Sequence, residues 1–417
     1  MGICELSALM LTKTLSIHLS QSCFLAMLGC ALSVSAVDWP YYGGPNYNFV
    51  SPEKGWLSQW PEGGPKKLWE AKVGTGFCTF SVSNGRVYTM GNTADNDTVF
   101  CLDAETGAEK WKHSYPCKLA ADNFEGGPCA TPTVDGNVVY TCSRFAHVYA
   151  LDATSGKEIW KKDLMQELGV KRPQWGFAGS VLVVGDKLIL NVGGAGTALD
   201  KATGKVIWTS NKDAAGYATP VLATYNGKQA VVIFSAKSVV AVAVADGSKL
   251  WEREWKTSWD VNAANPIIIG DKVFVSSGYN RGCAMLQIKG SEVTTLWENK
   301  NMRNHYASCV FVDGFIYGFD GQAGGGSLKC LDAANGEVKW NKDGLKPGGL
   351  LASDGKLIAL SDGGRLVVAE AAPTEYKETG SAKPLSGKCW TMPVLANGRI
   401  YARNNKEGIV VCLDVKK

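Results

Sequence analysis

Apolar and polar positions along this chain fall into short extended runs punctuated by turn residues, with no sustained helical stripe. One pattern recurs eight times, an apolar run, an Asn-Gly, Asp-Gly or Gly-Asp type turn, and a second apolar run. The copies are Ser81–Tyr88, Pro132–Tyr140, Val181–Leu188, Pro220–Val231, Pro266–Phe274, Val310–Tyr317, Leu351–Leu357 and Pro393–Tyr401. Such dipeptides between apolar runs are the strongest short-range signal for a β-hairpin.

A second pattern alternates with the first. Leu102–Trp111, Leu151–Trp160, Leu199–Trp208 and Leu331–Trp340 each read Leu-Asp, three residues, Gly, three residues, Trp. Val242–Trp251, with Ala243 in the Asp slot, and Gln287–Trp297 are weaker copies. The Asp side chain can bond turn amides and the Gly can take a positive φ, so each copy predicts strand, turn, strand. Tryptophans 69, 111, 160, 208, 251, 297 and 340 are spaced 42, 49, 48, 43, 46 and 43 residues apart. A strand-built period in the forties means propeller blades.

Eight hairpins therefore predict an all-β, eight-bladed propeller over residues 65–417. Val411–Lys417 is the first half of the Leu-Asp pattern and Lys66–Lys72 is a Trp strand without its first half. Together they make one blade, which closes the ring and removes free sheet edges. The seventh blade is the least regular, with Glu370 in the Asp slot and Tyr376 in the expected Trp position.

Composition agrees, with Gly 48 and Trp 14 of 417 residues but Pro only 15. A net charge of +4 without basic runs argues against a nucleic-acid partner. Lys13 precedes an apolar stretch, Cys23–Val34, that ends in small residues at Val34-Ser35-Ala36. Residues 1–36 thus read as a signal peptide, with Met10 as an alternative start. The stretch is too short to span a membrane. The expectation is an exported, monomeric protein of the periplasm or cell envelope, with lipid attachment at Cys30 a weaker alternative and residues 37–64 an N-terminal extension. Ten of the 13 cysteines lie beyond the leader, and their spacings match no metal or haem motif. Cys101, Cys330 and Cys412 read as buried thiols, whereas Cys78 and Cys129 either pair or pack as two thiols.

The Leu-Asp-Ala-x-Thr/Ser-Gly-Lys-x-x-Trp pattern resembles the pyrroloquinoline-quinone (PQQ) repeat propellers. That superfamily holds quinoprotein alcohol dehydrogenases and the non-enzymatic outer-membrane assembly lipoproteins of the BamB type. Asn301–Tyr306, Gly318–Gly321 and Cys389–Tyr401 look like a bacterial group of exported PQQ-binding-like repeat proteins. For the dehydrogenases the resemblance implies a cofactor held between a Trp and a disulfide of adjacent cysteines, a Ca²⁺ held by Glu, Asn and Asp, and an Asp base. This sequence has no adjacent cysteines.

Propeller symmetry predicts that connections from each Trp strand to the next inner strand crowd one channel mouth. They carry Trp175, Tyr217, Asp260, Asn262, Arg303, His305, Lys388 and Trp390. Aromatics with cations suit a planar, anionic ligand, PQQ included. Each also has a bland reading, and Trp175 and Trp390 fit blade packing equally well. His305, with Asp320 to orient it, is the candidate general base if the chain is an enzyme, and Asp260 is the other. No carboxylate pair points to glycoside chemistry. The expected function is a non-catalytic scaffold that binds a small anionic or planar ligand or an envelope protein at this face. No metal site is expected; the alternative is a PQQ-dependent alcohol dehydrogenase.

Overall fold

The computed structural model describes residues 37–417 apart from Asn123, Asn226 and Ala323. The expected leader lies outside the described residues. Eight antiparallel sheets follow one another along the chain, each with an inner, a second, a third and an outer strand. Besides strands, the described residues hold one short helix, Leu164–Leu168, and a single 3-10 turn, Ser258–Asp260. The eight inner strands are Ser81–Ser83, Thr133–Asp135, Leu182–Val184, Val221–Tyr225, Ile267–Ile269, Val310–Val312, Gly349–Ser353 and Val394–Ala396. They define blades one to eight.

Ring closure runs through the eighth blade. Its outer strand, Lys67–Lys72, comes from near the start of the described residues and pairs antiparallel with Ile409–Asp414. Trp69 sits opposite Cys412, the same register that sets Trp111 opposite Cys101 and Trp340 opposite Cys330. Cys101, Cys330 and Cys412 are fully buried there.

What joins one blade to the next is the tryptophan. The Trp69 indole N–H donates to the Ala104 carbonyl of blade one at 3.1 Å, and Trp111 donates to Ala153 of blade two at 3.0 Å. Trp160, Trp208, Trp297 and Trp340 repeat the bond to Lys201, Val244, Ala333 and Ala372. Under the first ring lies Gly107, where an added Cβ would fall 2.6 Å from the indole and where φ is +72°. Only glycine fits both conditions. Gly156, Gly204, Gly247 and Gly336 occupy the same place beneath the next tryptophans. The Asp of the motif shapes that turn, as Asp103 accepts from the amides of Glu105 and Thr106 and from the Thr106 hydroxyl. Blade five has no such turn, and the Trp251 indole N–H is buried without an acceptor.

Blade seven departs from the expected pattern. Tyr376 does not occupy its tryptophan slot; register places Gly380 there, opposite Val368. A Cβ on Gly380 would lie 2.9 Å from the ring of Trp60, which comes from the N-terminal segment. That segment also supplies the missing bond, since the Leu57 amide donates to the Val415 carbonyl at 2.7 Å, where an indole would otherwise donate. Tyr376 instead packs edge-on against Trp340.

The same N-terminal segment straps the ring. Trp39 pairs with Val82 of blade one, the Pro40 carbonyl accepts from Val134 of blade two, and Val50–Ser51 pairs in parallel with Ala352–Ser353 of blade seven. Asp38 and Glu53 accept from the hairpin amides of Asn84 and Gly398. These hairpins lie at the end of the channel opposite the outer-to-inner connections, so the strap crosses that end.

If Trp60 stands in for the absent tryptophan, Trp60→Ala costs about 3 kcal/mol, the lower end of the range for removing a core tryptophan side chain. Gly380→Trp alone clashes and destabilises, whereas Gly380→Trp in the Trp60→Ala background recovers stability. Equilibrium denaturation of the four proteins measures the coupling; additive losses contradict the substitution.

Candidate functional site

At the mouth formed by the outer-to-inner connections lies a cavity of about 430 Å³. Its floor is set by the residues two positions ahead of the first six inner strands. The Thr79 amide donates to the Thr131 hydroxyl at 3.0 Å, Thr131 to Ser180 at 2.9 Å, and Ser180 to Thr219 at 2.8 Å. Thr219 donates to Asn265 at 3.1 Å and Asn265 to Ser308 at 3.0 Å. Six blades are thus tied side chain to amide around the channel. The chain of bonds breaks at the equivalent positions in blades seven and eight, Gly349 and Met392. There Tyr42, from the strap, reaches into the channel and lines the cavity.

The walls are aromatic. Tyr306 and Trp390 stack with ring centroids 4.5 Å apart and planes at 20°. Phe77 lies 5.9 Å from Trp390 and 5.2 Å from Phe124, extending that wall across blades one and two. Trp175 and Tyr217 form a second group, 6.0 Å apart. Tyr217 leads into blade four and Trp390 into blade eight, so eightfold symmetry sets the two groups on opposite sides.

Of the residues singled out from sequence, Trp175, Tyr217, His305 and Trp390 line this cavity; Asp260, Asn262, Arg303 and Lys388 do not. Arg303 is turned away by Asp320, which it grips through Nε and Nη2 at 2.9 and 2.8 Å, while Lys329 bonds the same carboxylate at 2.8 Å. Burial raises the Asp320 pKa, but these two cations outweigh it and hold the carboxyl below its ordinary value. Asp320 therefore does not orient His305. Asn262 is fully buried and serves the backbone, its amide shared among the carbonyls of Ser235, Ala236 and Trp255. Asp260 is half-exposed and stands 3.9 Å from Lys237. Lys388 bonds Glu125 at 2.8 Å with its ammonium 4.2 Å from the Trp390 ring centroid.

His305 Nε2 meets the Tyr279 hydroxyl at 3.2 Å. Burial holds the imidazole below its ordinary pKa, so it is neutral at pH 7. Burial likewise pushes the Tyr217 phenol up to about 12. Among the described residues no Lys, Arg, Asp or Glu lines the cavity. Two arginines brace its walls from behind. Arg144 donates to the carbonyls of Leu119, Ala120 and Trp175; Arg403 donates to those of Gly74 and Met90. Neither is hydrogen-bonded to a carboxylate.

These residues do not fit PQQ. A planar tricarboxylate needs cations or strong donors at its rim, and the wall presents π faces while its polar floor is committed between blades. Among the described residues all ten cysteines are free thiols, Cys78 and Cys129 included, and no group of three His, Cys, Asp or Glu side chains is placed to hold a metal.

Fold and mouth together define a PQQ-type repeat propeller with an uncharged aromatic cup. The family described as outer membrane protein assembly factor BamB matches residues 117–342, more than half of the chain. The chain belongs to that family. It is 26% identical over 343 residues to the outer membrane protein assembly factor BamB of Yersinia pestis, covering 80% of this chain and 75% of that protein. The crystal structure of BamB from Moraxella catarrhalis superposes with a TM-score of 0.62 at 14% identity, covering 84% of this chain and 99% of that one. The quinohemoprotein alcohol dehydrogenase of Comamonas testosteroni gives 0.65 at 16% identity, covering 91% of this chain and 81% of that one. At such identities these likenesses concern the fold.

Tyr279, Tyr306, Phe77 and Phe124 were not singled out from sequence, although all but Tyr279 lie in the same outer-to-inner connections. Nothing in the pattern marks Tyr42, which arrives from outside the repeats.

A histidine held below its unfolded pKa of about 6.5 binds its proton more weakly when folded. Its contribution to stability is complete above that value and is lost as pH falls through it towards the folded pKa. The His305 ring resonance, assigned by its loss in His305→Gln, should titrate below this midpoint. The variant should lose less stability on acidification to pH 5. A midpoint at or above 6.5 contradicts the desolvated ring.

Proposed function

We propose that this protein is an exported, non-catalytic scaffold of the bacterial cell envelope that binds a partner polypeptide at the face carrying the cup. Residues 1–36 are its removable leader on this reading, and the mature ring works as a monomer. The observation that carries the reading is the uncharged lining of the cup. It offers neither the cations for a quinone tricarboxylate nor a general base with an orienting carboxylate, because Arg303 and Lys329 hold Asp320. Membership of the BamB family, whose relatives are named outer membrane protein assembly factors, supports a scaffold role and an envelope partner. Among the described residues no helix is long and apolar enough to cross a membrane.

Exposure supports the choice of face. Trp259, 67% exposed, lies on the connection into blade five, two residues from the cup-lining Val261. It and Asp260 both take positive φ, +67° and +53°. Such strain in a bulky residue is kept where surrounding structure or function requires it. An exposed tryptophan at a rim is the usual anchor of a protein interface.

Purified protein given PQQ and Ca²⁺ is expected to show no dye-linked alcohol oxidation; sustained PQQ-dependent turnover overturns the reading. In cells, a photo-crosslinking residue at position 259 should join one outer-membrane assembly polypeptide, and the same residue at Lys54, on the opposite strap, should not. No adduct at position 259, or equal adducts from both positions, contradicts the choice of face.

A further inference from the structure

We propose that the cup is a recognition site for an uncharged planar aromatic ring, held between the Tyr306–Trp390 stack and the Trp175–Tyr217 wall. This inference rests on the scaffold reading and names the chemistry its channel face selects.

An anion entering the cup leaves water and meets no cationic side chain, since Lys388 is bound to Glu125 and Arg303 to Asp320. Its desolvation is therefore uncompensated. A cation would find aromatic faces, which ordinarily attract it. Behind those faces, however, lie Arg144 and Arg403, each almost wholly buried and hydrogen-bonded to backbone carbonyls without a carboxylate. Two fixed positive charges at the back of the walls oppose a third in front of them; they attract an anion equally, but with no cation in the lining to replace its hydration that attraction through the wall does not offset the anion's desolvation. A neutral ring suffers neither penalty and gains offset stacking on faces already set in place.

The site is also pre-formed. Trp390 is fixed by Asp362, which accepts from its indole N–H at 2.9 Å, and by Asn405, which accepts from its amide at 2.7 Å. The Trp175 carbonyl is clamped by Arg144 at 2.8 Å. A ligand need not order these rings, so little of its binding energy is spent on them. The volume, about 430 Å³, falls in the lower part of the range of small-ligand pockets.

Two sources supply such a ring, a free small molecule and an aromatic side chain on a polypeptide. Calorimetric titration with an isosteric series separates charge from shape: 2-naphthol, 2-naphthoate and naphthyl-trimethylammonium. 2-Naphthol is expected to bind at least about tenfold more tightly than either ion, the size of one well-made aromatic contact. Trp390→Ala should weaken it by about the same factor. Ala178→Trp, which fills the cup without deleting a wall residue, should abolish binding with the melting temperature held. Lys54→Ala, on the strap at the opposite end of the channel, should leave binding unchanged. A blocked Gly-Trp-Gly peptide that binds at least as well as N-acetyl-tryptophanamide assigns the ring to a polypeptide, and its exclusion assigns a free molecule. Either result upholds ring recognition. The proposal falls if 2-naphthol fails to bind, if either ion binds more tightly, or if Ala178→Trp leaves binding intact. Such a result with no PQQ turnover rejects the ring chemistry alone and leaves the scaffold reading standing.

Discussion

The contact on which this molecule depends is the indole of one blade laid over the glycine turn of the next, with its N–H on a turn carbonyl. The indole bond is made six times, from Trp69 to Ala104 round to Trp340 to Ala372, and in five of them a glycine lies beneath the ring. Each contact buries a large apolar surface and satisfies a backbone acceptor at once. Sheets alone would not hold a ring, because their hydrogen bonds run within a blade. Where the contact is absent the chain compensates, with Trp60 and Leu57 of the strap serving the junction of blades seven and eight. At the junction of blades four and five, Trp251 packs against Tyr225 and its N–H is left without an acceptor.

The cup follows from that closure. Once the blades are locked, their inner strands converge, and Thr79, Thr131, Ser180, Thr219, Asn265 and Ser308 bond in sequence around the channel. The connections above them are then held at fixed spacing, so Trp175, Tyr217, Tyr306 and Trp390 face one volume although up to 215 residues separate them in the chain. The strap closes the other end and brings Tyr42 up beneath. A rigid cup of this kind presents aromatic faces that are already in place before anything binds.

Much of this was legible in the chain because repeats report their own geometry. The Leu-Asp-x3-Gly-x3-Trp spacing foretold the turn, the buried Cys101, Cys330 and Cys412, and the pairing of Lys67–Lys72 with Ile409–Asp414. Symmetry also brought Trp175, Tyr217, His305 and Trp390 to one mouth. What symmetry cannot tell is where a side chain turns after its backbone is placed. Arg303 and Lys388 sit in the right connections but are drawn off by Asp320 and Glu125, partners that lie elsewhere in the chain. Asn262 is consumed by three carbonyls that only the fold assembles. Tyr376 fell near the tryptophan slot by count, yet the turn after Glu370 is two residues longer than the one after Asp103, so the slot falls to Gly380, and its filler, Trp60, lies outside the repeats.

Closure by tryptophan docking makes the ring one cooperative unit, and native-state hydrogen exchange tests that most directly. The amides of Thr79, Thr131, Ser180, Thr219 and Asn265 report five blades separately. In a Trp69→Ala protein, protection should fall at all five together, because opening one junction releases the ring. Loss confined to Thr79, with Ser180 and Thr219 protected as in the unaltered protein, would contradict this and make the blades independent neighbours.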